Sequence, residues 1–337
     1  MSVLKQIGFG AALVALLGAA VMGQTPTTIK LATQAPFNST WHKALVDMGA
    51  DWTAKTAGRV KLTVYPGGTQ GDEPNTIRQM RVDGLQGNLL MAAGLSQIDE
   101  SFNAFGMPFF FQSDEETAYV LQKLAPTLEK RLEAKGFHLL CWGSGGWVQL
   151  FSKQPLTTLA DVKKAKLFTS NGDDRMVQWY KSNGFTPVAL AANDIVAQLK
   201  TGTIDAAPSP PYPALVLQMF RDAKYMLDVR VGPLLGALVI TNTAWNKVAP
   251  ADRPLLTSSA KAFEKRIMAD APKQDADSVA TMKTRGLTVT TLDPKAAAEF
   301  RAAAEKLAVT MRGNMVPAEI YDMAVQERDA FRKTKGK

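Results

Sequence analysis

The chain reads as an α/β protein in two lobes, and three observations carry that reading. Its 337 residues exceed what one hydrophobic core ordinarily serves. Strand and helix patterns alternate with short links through residues 159–206, as in parallel strands joined by right-handed crossovers. Between two strand patterns lie four small residues, Gly143, Ser144, Gly145 and Gly146, which suit a hinge where the chain passes from one lobe to the other.

The N-terminus carries Lys5, an apolar run over residues 7–21, and small residues at 19–23. The run is shorter than the ~20 residues a membrane-spanning helix needs, and polar residues follow at once. It reads as a secretory signal over residues 1–23, with the mature chain starting near Gln24. An uncleaved anchor is the alternative, and the absence of a Cys after the run excludes a lipid anchor there. No second apolar segment is long enough to span a membrane, so an exported, periplasmic protein is expected.

A first strand is predicted at 28–33. Trp41, Leu45, Met48 and Trp52 recur at helical spacing, so a helix runs from about Thr40 to Thr56. Residues 60–65 alternate as a strand. The Gly-rich loop after them supplies Gln70 and Asp72, and a helix occupies 73–83. A short strand follows at 89–93, then the dense apolar segment 107–111. Ser113 and Glu116 form a capping-box start, since each can satisfy a free backbone donor of the other. The helix they open is expected to stop before Pro126, with another running to Lys135 and a strand at 137–142.

Beyond the hinge, residues 155–174 read as a loop, a short helix, the strand 166–169 and a polar turn at Asn171 that opens a helix over 173–182. Ligands of α/β proteins gather where strand C-termini meet helix N-termini, which places Phe168 and Asn171 at such a spot. A strand at 186–190, a helix from Asn193 to Lys200 and a strand at 203–206 follow. The segment 207–213 is expected to break all regular structure and to aim a second loop at the same place. A buried strand is predicted at 235–241 and a long helix over 251–285, kinked at Pro272. A strand at 287–291 and two more helices complete the chain, the second from about Pro317 to Arg332.

Composition narrows the chemistry. The net charge of +8 is spread along the chain and reads as a solvated basic surface, with no nucleic-acid partner implied. Cys141 is alone, which rules out an intramolecular disulfide, and its apolar strand setting suits a buried thiol. Of the two histidines, His138 falls in a strand pattern and reads as packed, while His42 on the first helix is a candidate to face the cleft. The chain has no HExxH, CxxC or GxSxG. Asp173 and Asp174 lie near a helix start, where acids serve the helix dipole. An enzyme is not expected, and neither a cofactor nor a metal is called for.

Landmarks along nearly the whole mature chain are "STWHKALVDMGADWTAKTAGRVKLTVYPGGTQGDE", "QMRVDGL", "MPFFFQSDEE", "LEAKGFHLLCWG", "PLTTLADVKKAKL" and "LKTGTIDA". Each is weak alone. In this order and spacing the chain resembles the extracytoplasmic solute-binding proteins of tripartite ATP-independent periplasmic (TRAP) transporters, dicarboxylate-binding type. The resemblance implies a two-lobed fold with hinge strands and a long helix bracing both lobes. Residues 24–146 with 235–275 would form lobe I, and 147–234 with 276–337 lobe II. It also implies a small organic ligand enclosed between the lobes and delivered to TRAP membrane permease subunits. A homodimer stays open.

Departures from the family pattern bear on the ligand. The arginine that clamps a carboxylate bidentately in carboxylate-binding members falls on Phe168, a second arginine falls on Val148, and an asparagine on Ser209. Asn171 keeps a polar position the family uses. The resemblance therefore points to a neutral, apolar or aromatic solute, with Trp147 and Tyr212 among the lining aromatics. Two alternatives are an organic acid held by a relocated arginine such as Arg175, and a protein that presents a ligand to a sensor or carries lipid without transport.

Overall fold

The computed structural model describes residues 26–171 and 174–336; residues 1–23, expected above to be a secretory signal, lie outside them. Elements run in the order β1 (Thr27–Thr33), α1 (Thr40–Lys55), β2 (Val60–Tyr65), α2 (Glu73–Arg81), β3 (Gly87–Met91), α3 (Ala92–Ile98), α4 (Asp114–Ala134), β4 (Phe137–Ser152), α5 (Leu159–Lys164), β5 (Lys166–Ser170) and α6 (Asp174–Ser182). They continue with β6 (Thr186–Leu190), α7 (Ile195–Thr201), β7 (Ala206–Ser209), α8 (Pro211–Val216), β8 (Tyr225–Thr241), α9 (Asn242–Lys247), α10 (Arg253–Thr284), β9 (Thr288–Thr290), α11 (Pro294–Met311) and α12 (Ala318–Lys335).

Among the described residues the nine strands join one sheet in the order β2-β1-β3-β8-β4-β7-β5-β6, with β9 on β8. β1 pairs in parallel with β2 and β3, and β5 in parallel with β6 and β7, the crossover pattern expected at each end. In the middle, β4 and β8 run antiparallel to each other from one lobe into the other. The C-terminal half of β8 pairs with β3, whereas its N-terminal end pairs with β9. The glycine-rich segment 143–146 is thus no free loop but part of β4. Its ladder with β8 shifts register at Leu139–Cys141, at Ser144–Trp147 and at Val148–Leu150, so that two of the three irregularities fall at the hinge.

The long helix α10 enters two cores. Leu256, Ala260, Phe263 and Ile267 pack with Trp41, Leu45 and Trp52 of the first lobe. Met282 packs with Phe151, Phe168, Leu199 and Met226 of the second. It runs through Pro272 as one helix. The helix α4 likewise continues through Pro126, where a break was expected. One hydrogen bond is forfeited there, but Val120, Leu121, Leu124, Leu128 and Leu132 form a continuous buried stripe whose burial outweighs that loss.

The last helix differs from the expected grouping of 276–337. Ile320, Tyr321 and Ala324 pack beside Val120, Leu124 and Leu128 of α4, on the first lobe. Arg332 Nε donates to Glu116 Oε1 at 2.5 Å, and the Arg328 guanidinium lies 4.3 Å from the Phe110 ring centroid. Residues 206–213 also depart from expectation: β7 is formed by 206–209, and α8 starts at Pro211, whose missing N–H is no loss in a first helical turn.

Candidate functional site

The first lobe contributes two loops. Ser39 caps α1 by accepting from His42 N at 3.2 Å. His42 Nδ1 in turn accepts from Asn38 N at 3.2 Å, and its ring lies 5.2 Å from that of Phe37. The first amide of the helix, Thr40 N, has no helical partner and donates to the Tyr212 hydroxyl of the second lobe at 2.9 Å. The Trp41 and Tyr212 rings meet edge-on at 6.4 Å.

In the Gly-rich loop, Asp72 caps α2 through Oδ1, which accepts from Asn75 N at 2.9 Å. Its other oxygen accepts from Asn171 Nδ2 of the second lobe at 2.8 Å. Gln70 acts here through its backbone, its carbonyl accepting from Gln79 Nε2 at 2.8 Å.

Glu73, beside Asp72, serves a different end of the site. The helix α3 starts after Met91, which offers no capping side chain. Glu73 Oε1 supplies that role from outside by accepting from Met91 N at 2.7 Å. Gly94 permits the approach, because a Cβ there would collide with the Glu73 carboxylate. Burial pushes this carboxyl up to about 7 against the pull of the Met91 amide, with the Asp72 charge adding to the rise.

At the hinge, Trp147 is buried and donates from Nε1 to Asp114 Oδ1 at 2.9 Å. The Arg230 guanidinium stands 5.2 Å from its ring centroid. Asp275, on α10, accepts from Trp147 N at 3.3 Å and from Tyr212 N at 3.1 Å, one carboxylate oxygen to each. Burial pushes the Asp275 carboxyl up to about 6, opposed by those two amides. Val148 is half-buried opposite Gly232, and Ser209 pairs with Gln149, its hydroxyl turned onto the Pro210 carbonyl at 2.9 Å.

Two of the residues singled out from sequence stand elsewhere. Phe168 is 8% exposed and packs with Phe151, Leu199, Ala207 and Ala214, inside the core of the second lobe. The strand period fixed which neighbours share its sheet face, but α7 and α8 cover that face. Arg175 is exposed and ion-paired with Glu100 across the lobes. The pair lines a polar groove of about 390 Å³ with Ser96, Asp99, Arg131 and Lys135. A tighter, apolar recess of about 10 Å³ lies under the hinge between Trp41, Leu89, Met91, Gly145, Phe263 and Ile267.

The arrangement thus pairs Asp72 with Asn171 and Tyr212 with Thr40 across the lobes and holds Trp147 beside them, whereas the contacts described for His42, Gln70, Val148 and Ser209 stay within their own lobe. Thr40, Glu73, Arg230 and Asp275 were missed. Glu73 had a signal, since an acid at the first position of a helix after a Gly-rich loop is well placed to reach a neighbouring backbone. Asp275 had none, lying amid a solvated-looking helix. His138 is packed as expected, stacked at 4.4 Å on the Trp245 ring, and burial raises the Cys141 thiol. Among the described residues, no group of three or more His, Cys, Asp or Glu side chains is arranged to hold a metal ion.

Known proteins share both sequence and fold with this chain. The model of the family described as bacterial extracellular solute-binding protein, family 7, matches residues 31–312. The 2,3-diketo-L-gulonate-binding periplasmic protein YiaO of Escherichia coli is 26% identical over 250 residues, covering 72% of this chain and 74% of that protein. A TRAP periplasmic solute-binding protein from Desulfovibrio salexigens, solved with bound orotic acid, superposes with a TM-score of 0.83 at 16% identity, over 90% of this chain and 99% of that one. One from Chromohalobacter salexigens, with bound D-glucuronate, gives 0.81 at 22% identity, with the same coverage.

Proposed function

Because the chain belongs to bacterial extracellular solute-binding protein family 7, we propose that it is the binding component of a TRAP-type transporter. In this reading it is exported by cleavage near Gln24, closes its two lobes on a small organic solute, and presents that solute to membrane permease subunits. The lobes part at the slip in the β4–β8 ladder, and α10 braces both. The closed arrangement is held by contacts between facing edges, Asp72 with Asn171 and Thr40 with Tyr212.

The solute is read as neutral, apolar or aromatic. The observation that carries this is the make-up of the facing edges: Asp72 and Glu73 are carboxyl groups, while positions 148 and 209 hold Val and Ser. A carboxylate enclosed there without a guanidinium partner would be costly. Phe168, packed in the core of the second lobe, takes no part in this reading.

A second reading takes its support from the orotic acid and D-glucuronate bound to the structural relatives. An organic acid would then need Arg230 or Arg175, and Arg175 would have to leave Glu100. A thermal-shift panel of dicarboxylates, uronates, aromatic acids and neutral aromatics separates the two. A ligand at a hundred times its Kd stabilises by about 2.7 kcal/mol, readily seen. Stabilisation by acids alone would sink the neutral-solute reading; stabilisation by neutral aromatics alone would sink the other.

A further inference from the structure

Asp275 sits where three parts of the molecule meet. It is on α10, which enters the cores of both lobes. Its two oxygens take the amides of Trp147, just past the hinge, and Tyr212, at the start of α8. One of these amides sits at an irregularity in the ladder, the other in the first turn of a helix, where no carbonyl of the helix itself can reach it. Gly146, at φ +94°, is shaped to this contact, because any Cβ there would run into Asp275 Oδ2. Tyr212 then reaches across the cleft to accept from Thr40 N.

We propose that Asp275 is a positioning residue for lobe closure: through the Trp147 and Tyr212 amides it seats the hinge strand and the loop after β7, so that the Tyr212 hydroxyl can engage Thr40 of the opposite lobe. This rests on the two-lobe binding reading given above and adds a residue outside the cleft that controls it. The device is sensitive to protonation. A carboxylate offers an acceptor oxygen to each amide, whereas a carboxyl group turns one of those oxygens into a donor. The charged groups facing it are Asp114 from α4 and Arg230 from β8. On its own helix Lys273 and Asp277 pair with each other, and neither α8 nor residues 146–152 carry a charged side chain. Burial places the titration at about 6.

Hydrogen exchange resolved to single amides, on the mature protein with no solute added, tests this. Asp275→Ala is expected to speed exchange at Trp147, Tyr212 and also Thr40 by about tenfold or more. Tyr212→Phe should speed Thr40 alone. In the unaltered protein, protection at the three amides, corrected for intrinsic chemistry, should fall as the pH drops from 7.5 to 5, and in Asp275→Asn that pH dependence should vanish. Fast exchange at Trp147 and Tyr212 with Thr40 unchanged would reduce Asp275 to a local brace and overturn the coupling. No change at Trp147 and Tyr212 would overturn the contact itself. Should Asp275→Ala not fold, a flat pH profile in the unaltered protein would overturn the proposal. Because no solute is used, failure here and failure of the solute panel are read independently.

Discussion

Asn171 donates to Asp72 across the cleft at 2.8 Å, and the same Asp72 caps α2 with its other oxygen. One carboxylate therefore serves both a helix within one lobe and the junction between lobes, and the two duties can be separated by mutation.

Asp72→Ala is expected to cost about 1 kcal/mol of stability through the lost cap, seen as a lower urea midpoint. Asn171→Ala should leave the midpoint nearly unchanged. Both should shift small-angle scattering profiles toward a more open form. Equal midpoints for the two variants would refute this division of roles.

Phe168→Arg places a guanidinium among Phe151, Leu199 and Ala214. The expected result is destabilisation, on the order of the 3–5 kcal/mol that large core truncations cost, and no gain of carboxylate binding. A folded Phe168→Arg protein stabilised by succinate-like acids would show that the ring faces solute after all.

Glu73 gives a pH dependence of definite sign. Its carboxyl is raised from the usual 4.5 to about 7 in the folded protein. Between those values the folded state binds more protons than the unfolded, so the contribution is complete below 4.5 and lost as the pH rises through 7. Against Glu73→Gln, the unaltered protein should lose stability on the order of 1–3 kcal/mol over that window. Urea melts at pH 4.5, 6 and 7.5 measure it; a difference that grows in the opposite direction contradicts the burial of this group.

Arg332→Ala leaves the buried Glu116 carboxylate with the Gln112 amide at 2.5 Å and without its guanidinium partner. A loss of roughly 3 kcal/mol is expected, together with faster proteolysis of the chain beyond Pro317. Unchanged melting would place α12 outside the cooperative unit.

Much of the architecture was legible in the pattern of side chains. Alternation found β2, strand patterns between short links found β1, β5 and β6, helical spacing found α1, and the cap expected from Ser113 at the start of α4 is present. The failures share a cause: local breakers were overruled by distant partners. Glycines at 143–146 and Gly232-Pro233 interrupt any strand pattern, yet β4 and β8 run through them because each is the other's ladder. Pro126 was overruled by the apolar stripe of α4. Of the residues named from sequence, Asp72, Asn171 and Tyr212 make contacts between the lobes and Trp147 makes one at the hinge. The roles of Thr40 and Asp275 depend on atoms about 170 and 60 residues away, which no local pattern encodes.

The shared ladder of β4 and β8 also decides what can be taken apart. Each lobe is assembled from discontinuous stretches of chain, and the two strands are stitched to each other on both sides of the hinge. No single cut yields a half-molecule with a complete sheet, so neither lobe is expected to survive as a separately expressed fragment. The same stitching resists sliding of the lobes past one another and leaves bending as the soft motion. A molecule hinged in this way behaves like a folded card, with the crease at Ser144 and Trp147.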